Sequence, residues 1–144
     1  MSTDKPWYLA GPMTGIPQFN FPEFEAAAGR LRERGFVVIS PHEQDSPAVQ
    51  KAAWASPDGR LDANNKIAGE TWGDILARDV KLVADEVCGV MVLEGWERSR
   101  GARLETFVAH LTGKPILWAH DQSRVLDEDL DEAWDYNLFT GAPE

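Results

Sequence analysis

The sequence predicts an α/β protein: a doubly wound parallel sheet of four to five strands in a flavodoxin- or Rossmann-like three-layer sandwich. Three observations carry that expectation. Short apolar runs alternate with segments of helical period, the pattern of parallel strands joined by helical crossovers. Two runs, "FVVIS" and "VCGVMVL", are continuously apolar, as strands buried on both faces are. The first run, "WYLAGPMTG", ends in a turn punctuated by Gly11, Pro12 and Gly15, and such folds place ligands at the carboxyl ends of their strands.

The elements follow in order. "PWYLAG" is the first strand. A helix is expected from near Asn20, which can cap it with Glu23 as capping-box partner, and Gly35 stops it after "RLRER". Residues 36–40 form the second strand, bounded by Gly35 and Pro41. Residues 44–70 are polar and rich in small side chains, and read as a lid or insert loop with a short helix near 49–54. In "TWGDILARDVKLVADE" the residues Trp72, Leu76, Val80 and Val83 fall on one helical stripe that continues to Val87. Residues 87–93 give the third strand and "EGWERS" a loop. Ser99 caps a helix that runs through Thr112 to a stop at Gly113, and "PILWA" is the fourth strand. Residues 121–144 form an acidic tail, in which Trp134 and Phe139 suggest a short docking helix. No repeat interrupts residues 1–144, which are expected to form one domain.

Composition narrows the function. Hydrophobic residues at 43% and charged residues at 26% are the proportions of a soluble globular protein. No apolar run approaches the roughly 20 residues of a membrane span, and "MSTDKPW" lacks a signal-peptide core. Cys88 is the only cysteine, so no disulfide can form within the chain, and a cytoplasmic location is the expectation. A net charge of −10 argues against a nucleic-acid polymer as partner. It leaves open a single nucleotide, whose phosphate needs only a local arginine or a helix N-terminus. His42, His110, His120 and Cys88 show no metal-ligand spacing, and neither a metal nor an organic cofactor is expected.

Two carboxylates stand out. Asp79 lies three and four residues from Leu76 and Val83, on or beside the apolar stripe of its helix, where an acid is costly unless paired or used. Glu105 shares a helical face with Gly101, Ala102 and Ala109, small residues that leave room for something to sit against it. The ordinary alternatives are an arginine pair for Asp79 and a solvated early-turn glutamate for Glu105. Arg98, Arg100 and Arg103 lie together near a helix N-terminus, as a phosphate site or a solvated basic patch. Trp72 and Trp96 can stack on a base or simply pack. "GPMTGIP" is neither a Walker loop nor a dinucleotide fingerprint.

Taken together, "YLAGP", "RDVKLVADE" before the third strand and the Ser-x-Gly-x-x-x-Glu pattern in "SRGARLE" resemble the nucleoside 2-deoxyribosyltransferase-like superfamily, over roughly residues 6–119. That superfamily includes the deoxyribonucleoside monophosphate N-glycosidases, and the chain is most similar to a branch of small bacterial and bacteriophage proteins. The resemblance implies cleavage of an N-glycosidic bond through a covalent glycosyl-enzyme, by hydrolysis or transfer. The substrate it implies is a (deoxy)nucleoside 5′-monophosphate or nucleoside; the alternative is a nucleotide-binding module of the same fold without turnover. Glu105 would be the nucleophile at C1′, Tyr8 would hold that carboxylate ionised, and Asp79 would protonate the departing base. The implied binding surface runs through Gly11, Pro12 and Met13, then Glu94 and Trp96, then Ser99, Arg100 and Gly101. Glu94 stands where the superfamily often has an aspartate. Homo-oligomers are implied as well, with Asn137 a residue that one subunit could lend another.

Overall fold

In the computed structural model, which describes residues 5–135, the chain opens with β1 (Trp7–Ala10), α1 (Phe21–Glu33), β2 (Val38–Ile39), α2 (Pro41–Gln44) and α3 (Pro47–Trp54). A small hairpin, β3 (Lys66–Ile67) and β4 (Glu70–Thr71), leads into α4 (Trp72–Asp85). The chain then runs through β5 (Gly89–Val92), α5 (Arg100–Leu111), β6 (Ile116–Trp118) and α6 (Asp127–Ala133). The sheet is parallel, in the order β2-β1-β5-β6. The α/β sandwich expected from the sequence is present, with four strands in its main sheet.

Strand alternation sets the layers. Tyr8 and Ala10 of β1 pack with Val90 and Val92 of β5 beneath Val83 of α4, Ala102 and Ala109 of α5, and Leu130 of α6. Leu9 and Met91 point the other way, into a second core against Phe24, Ala27, Ala28 and Leu31 of α1. Every residue of β5 is buried, as its apolar run predicts. The 36–40 run behaves differently. Only two of its residues pair, β2 is an edge strand, and Val37 is 60% exposed. An edge has a neighbour on one side alone, so an apolar run there need not be covered on both faces.

Local chemistry places most boundaries. Ser99 accepts a hydrogen bond from the Ala102 amide and so caps α5; Ser46 and Thr71 do the same for α3 and α4. Gly35 (φ 94°) and Gly113 (φ 73°) end α1 and α5 as expected. The Asn20–Glu23 capping box does not form. Gln18, Phe19 and Asn20 all adopt left-handed backbone (φ 57°, 52° and 60°), which turns the Asn20 side chain back to donate to the Pro12 carbonyl at 2.9 Å.

The 44–70 segment is not the long loop its composition predicts. It holds α2's last residue, α3 and the β3–β4 hairpin, with Ser46 donating to Glu70 at 2.8 Å to tie the two together. It closes over the strand-one turn through Gly15 N–H to Gly59 O (2.8 Å) and Gln18 N–H to Ser56 O (2.9 Å). The tail helix docks partly as expected: Trp134 donates to Thr106 and packs edge-on against Phe107. Phe139 and Asn137 lie outside the described residues. Among those residues, no helix is long and apolar enough to cross a membrane.

Candidate active site

β1 and β5 are neighbours although the chain leaves β1 for β2 on the opposite side, so a crevice opens at their carboxyl ends. Three side chains converge there from three elements. Tyr8 of β1 is fully buried and donates its hydroxyl to Glu105 Oε2 of α5 at 2.9 Å, across 97 residues of sequence. Asp79 of α4 lines the same cavity as Glu105, with Gly11, Ser99 and Gly101 beside them. The cavity measures about 90 Å³.

Asp79 is also paired. Arg78 donates to its Oδ1 from Nε (2.9 Å) and Nη2 (2.7 Å), to Asp45 Oδ1 from Nη1 (2.7 Å), and to the Pro41 carbonyl (3.3 Å). Asp45 and Pro41 line the cavity too. Asp79 therefore has the arginine partner of the ordinary alternative and at the same time lines the cavity.

Burial governs the titration of these acids. It pushes the Glu105 carboxyl well above its ordinary value, and the Asp79 charge pushes it further, against the Tyr8 hydrogen bond and Arg78. It raises Asp79 to about 6, against the charge and hydrogen bonds of Arg78. Burial and then the Glu105 charge raise Tyr8 well above its usual value, so its hydroxyl remains a donor. The two carboxyls titrate as a pair, in which the Arg78 guanidinium favours the ionised form of Asp79 and burial the protonated form of Glu105. The expectation that Tyr8 keeps Glu105 ionised is corrected here. Its hydrogen bond does favour the carboxylate, but the loss of water outweighs it.

The other expected residues divide. Met13, Thr14 and Ser99 join the cavity to a wider groove of about 540 Å³, whose wall includes Pro12, Glu94 and Arg98. Arg100 lines a further recess of about 180 Å³, which shares Thr14, Leu61 and Trp72 with the cavity. Arg103 is buried in α5. The three arginines therefore do not form one basic patch: Arg98 precedes α5, and of the two on that helix Arg100 is exposed and Arg103 buried. Trp96 is corrected as well. It is fully buried in the core against the sheet and lines none of these recesses, so it cannot stack on a ligand; Trp72 lines the cavity instead. Gly11 lines the cavity, yet its missing side chain has a packing cause, since a Cβ there would lie 2.9 Å from Leu93 Cβ.

Sequence reasoning passed over Asp45, Arg78, Phe19 and Phe21 as wall or wall-bracing residues. Arg78 was hidden by its spacing, since adjacent helix residues do not ordinarily face one another. The aromatic alternation in "QFNFPEF" was a readable signal for the other two.

A family profile described as Domain of unknown function (DUF4406) matches residues 5–118, which include every side chain placed in the cavity. The chain belongs to the DUF4406 family. No curated protein and no solved structure matches it. The matched span ends at β6, so the DUF4406 unit comprises the whole main sheet, while α6 lies beyond it.

Proposed function

We propose that this protein cleaves the N-glycosidic bond of a (deoxy)nucleoside 5′-monophosphate or nucleoside through a covalent glycosyl-enzyme. The observation that carries this reading is the hydrogen bond from the buried Tyr8 hydroxyl to Glu105, which lines one cavity together with Asp79. Such chemistry needs one carboxylic acid and one carboxylate on the same bond. Burial favours that inventory, because it raises both carboxyls above their ordinary values while Arg78 favours the charged form of Asp79. Before substrate binds, the proton resides on Glu105. Positive charge growing at C1′ favours the ionised form of Glu105, so the proton passes to Asp79 or directly to the base as the bond breaks.

In that sequence a Glu105 oxygen bonds to C1′ and the C1′–N bond breaks with its electron pair going to the base. The base takes a proton from Asp79. Water then attacks C1′, giving its proton to Asp79 and releasing Glu105 as carboxylate. The sugar and any 5′-phosphate extend into the groove lined by Ser99 and Arg98. Resemblance to the nucleoside 2-deoxyribosyltransferase-like superfamily supports the same assignment and implies a homo-oligomer.

One observation favours a second reading, a nucleotide-binding module without turnover: a glutamic acid that holds its proton this firmly is a poor nucleophile. A panel of deoxynucleoside monophosphates, ribonucleotides and free nucleosides, incubated with protein and followed by chromatography, separates the two. Base release that is lost in Glu105→Gln is expected. Silence across the panel, with and without an acceptor base, would leave the binding module.

A further inference from the structure

The cavity has two chemically distinct ends. At one end its polar side chains are already engaged: Asp45 and Asp79 by Arg78, Glu105 by Tyr8, and Ser99 by the Ala102 amide. The other end is apolar, walled by Phe19, Phe21, Val49, Ala53, Leu61 and Ile67. That wall comes from the left-handed turn before α1, from the first residue of α1 and from the 44–70 segment, which close on each other in a small core of their own.

Phe19 is held there at a cost. Three consecutive non-glycine residues with positive φ persist only where their surroundings over-determine them. Here Gln18 is fixed at both ends to the close of α3, by its amide on Ser56 O and its side chain on Trp54 O, while Asn20 is fixed to Pro12. Strain of this kind beside a cavity marks a surface whose shape matters.

Size completes the picture. At about 90 Å³ the cavity is far below the roughly 300–1,000 Å³ of sites that enclose a whole drug-sized ligand. It admits one ring, and the groove of about 540 Å³ that meets it at Met13, Thr14 and Ser99 admits a polar remainder. We propose that the apolar end is the subsite for the leaving base, and that it selects a single-ring base bearing an apolar substituent, read by shape rather than by hydrogen bonds. This rests on the glycosidase reading for the identity of the occupant. The base then lies with its glycosidic nitrogen toward Asp79 and its far edge against Phe19 and Ile67.

The test is calorimetric titration of the full chain with thymine, uracil and adenine, beside the cleavage panel. Thymine is expected to bind about fourfold more tightly than uracil, for one buried methyl group. Adenine is expected to bind about tenfold more weakly than thymine, as an over-large ring. Leu61→Phe, on a partly exposed loop, should cost thymine about tenfold by filling the space. Adenine binding as well as thymine, thymine no better than uracil, no binding of any base at millimolar concentration, or full affinity in a folded Leu61→Phe would each overturn the subsite. The expected order of base binding with no nucleotide cleaved would keep the subsite and sink the glycosidase. Cleavage of purine and pyrimidine nucleotides at equal rates would do the reverse.

Discussion

The proton held by Asp79 should be measurable as stability, and adding Asp79→Asn to a Glu105→Gln background isolates it. The glutamine keeps an acceptor for Tyr8 and removes the neighbouring titration, while the causes of the Asp79 shift are burial, Arg78, Asp45 and Tyr8. The Asp79 carboxyl sits at about 6 in the folded protein against 3.8 as its ordinary value. Its folded pKa is raised, so the proton lends stability that is complete below the ordinary value and is lost as pH rises through about 6. A shift of about two units is worth about 3 kcal/mol, and at 8% side-chain exposure little of it is screened. Urea unfolding of the two proteins from about pH 3 to about pH 8 should therefore show their stability difference change by about 3 kcal/mol. In melting temperature that is about 6–12 °C for a chain of this size. Glu43, Asp85 and Asp121, whose pKa values are lowered, titrate in the opposite sense but alike in both proteins. A flat difference curve, or one in which rising pH favours the protein that keeps Asp79, would refute the reasoning.

Two further substitutions probe the same cavity from different sides. Tyr8→Phe removes the hydroxyl that donates to Glu105 Oε2 and should lower stability by about 1 kcal/mol in urea unfolding and turnover by about tenfold; no change in either would show the bond to be idle. Gly101→Ala places a Cβ 4.0 Å from Leu76 Cδ1 and Ser99 Oγ, ordinary contacts, so the helix should gain about 0.5 kcal/mol by thermal melting. The same methyl group enters the cavity, so ligand affinity should fall while stability rises, and a parallel fall in both would mean the position is structural.

The fold was legible because its signals are local. Apolar runs, serine caps and helix-ending glycines each act within a few residues, and β1, β5, α4 and α5 followed from them. The sequence also picked out Asp79 and Glu105, because an acid on an apolar stripe and an acid among small residues are visible at helical spacing. What it could not show depends on distant partners. Composition made 44–70 a loop, but Val49, Ala53, Leu61 and Ile67 are apolar points spaced for a cavity wall that exists only once α3 and the hairpin fold over β1. Trp96 looked like a ligand platform in a polar loop, and only the packing of α5 against the sheet buries it. Arg78 was legible as a residue and illegible as a partner, since its three acceptors lie 1, 33 and 37 positions away.

That arginine explains why so acidic a cavity is compatible with a folded protein. Asp45, Asp79 and Glu105 all line it, and Arg78 is the cation that touches two of them. Burying three ionised carboxylates against one guanidinium would leave uncompensated charge in a site that water cannot screen, a cost of several kcal/mol per ion. The protein avoids it by ionising the acids that the planar fork can reach and leaving the third, Glu105, to hold a proton against Tyr8. The device that lets the fold tolerate these acids is thus the one that keeps them unequal. Two like groups whose environments push them apart are the starting condition that acid–base chemistry needs. The same fork grips Asp45 and, just before it, the Pro41 carbonyl, so the segment that builds the apolar wall hangs from the residue that sets the charge. Shape and protonation at the two ends of the cavity are then not independent, and a substrate that displaced the 44–70 segment would shift the titration of Asp79 through Arg78.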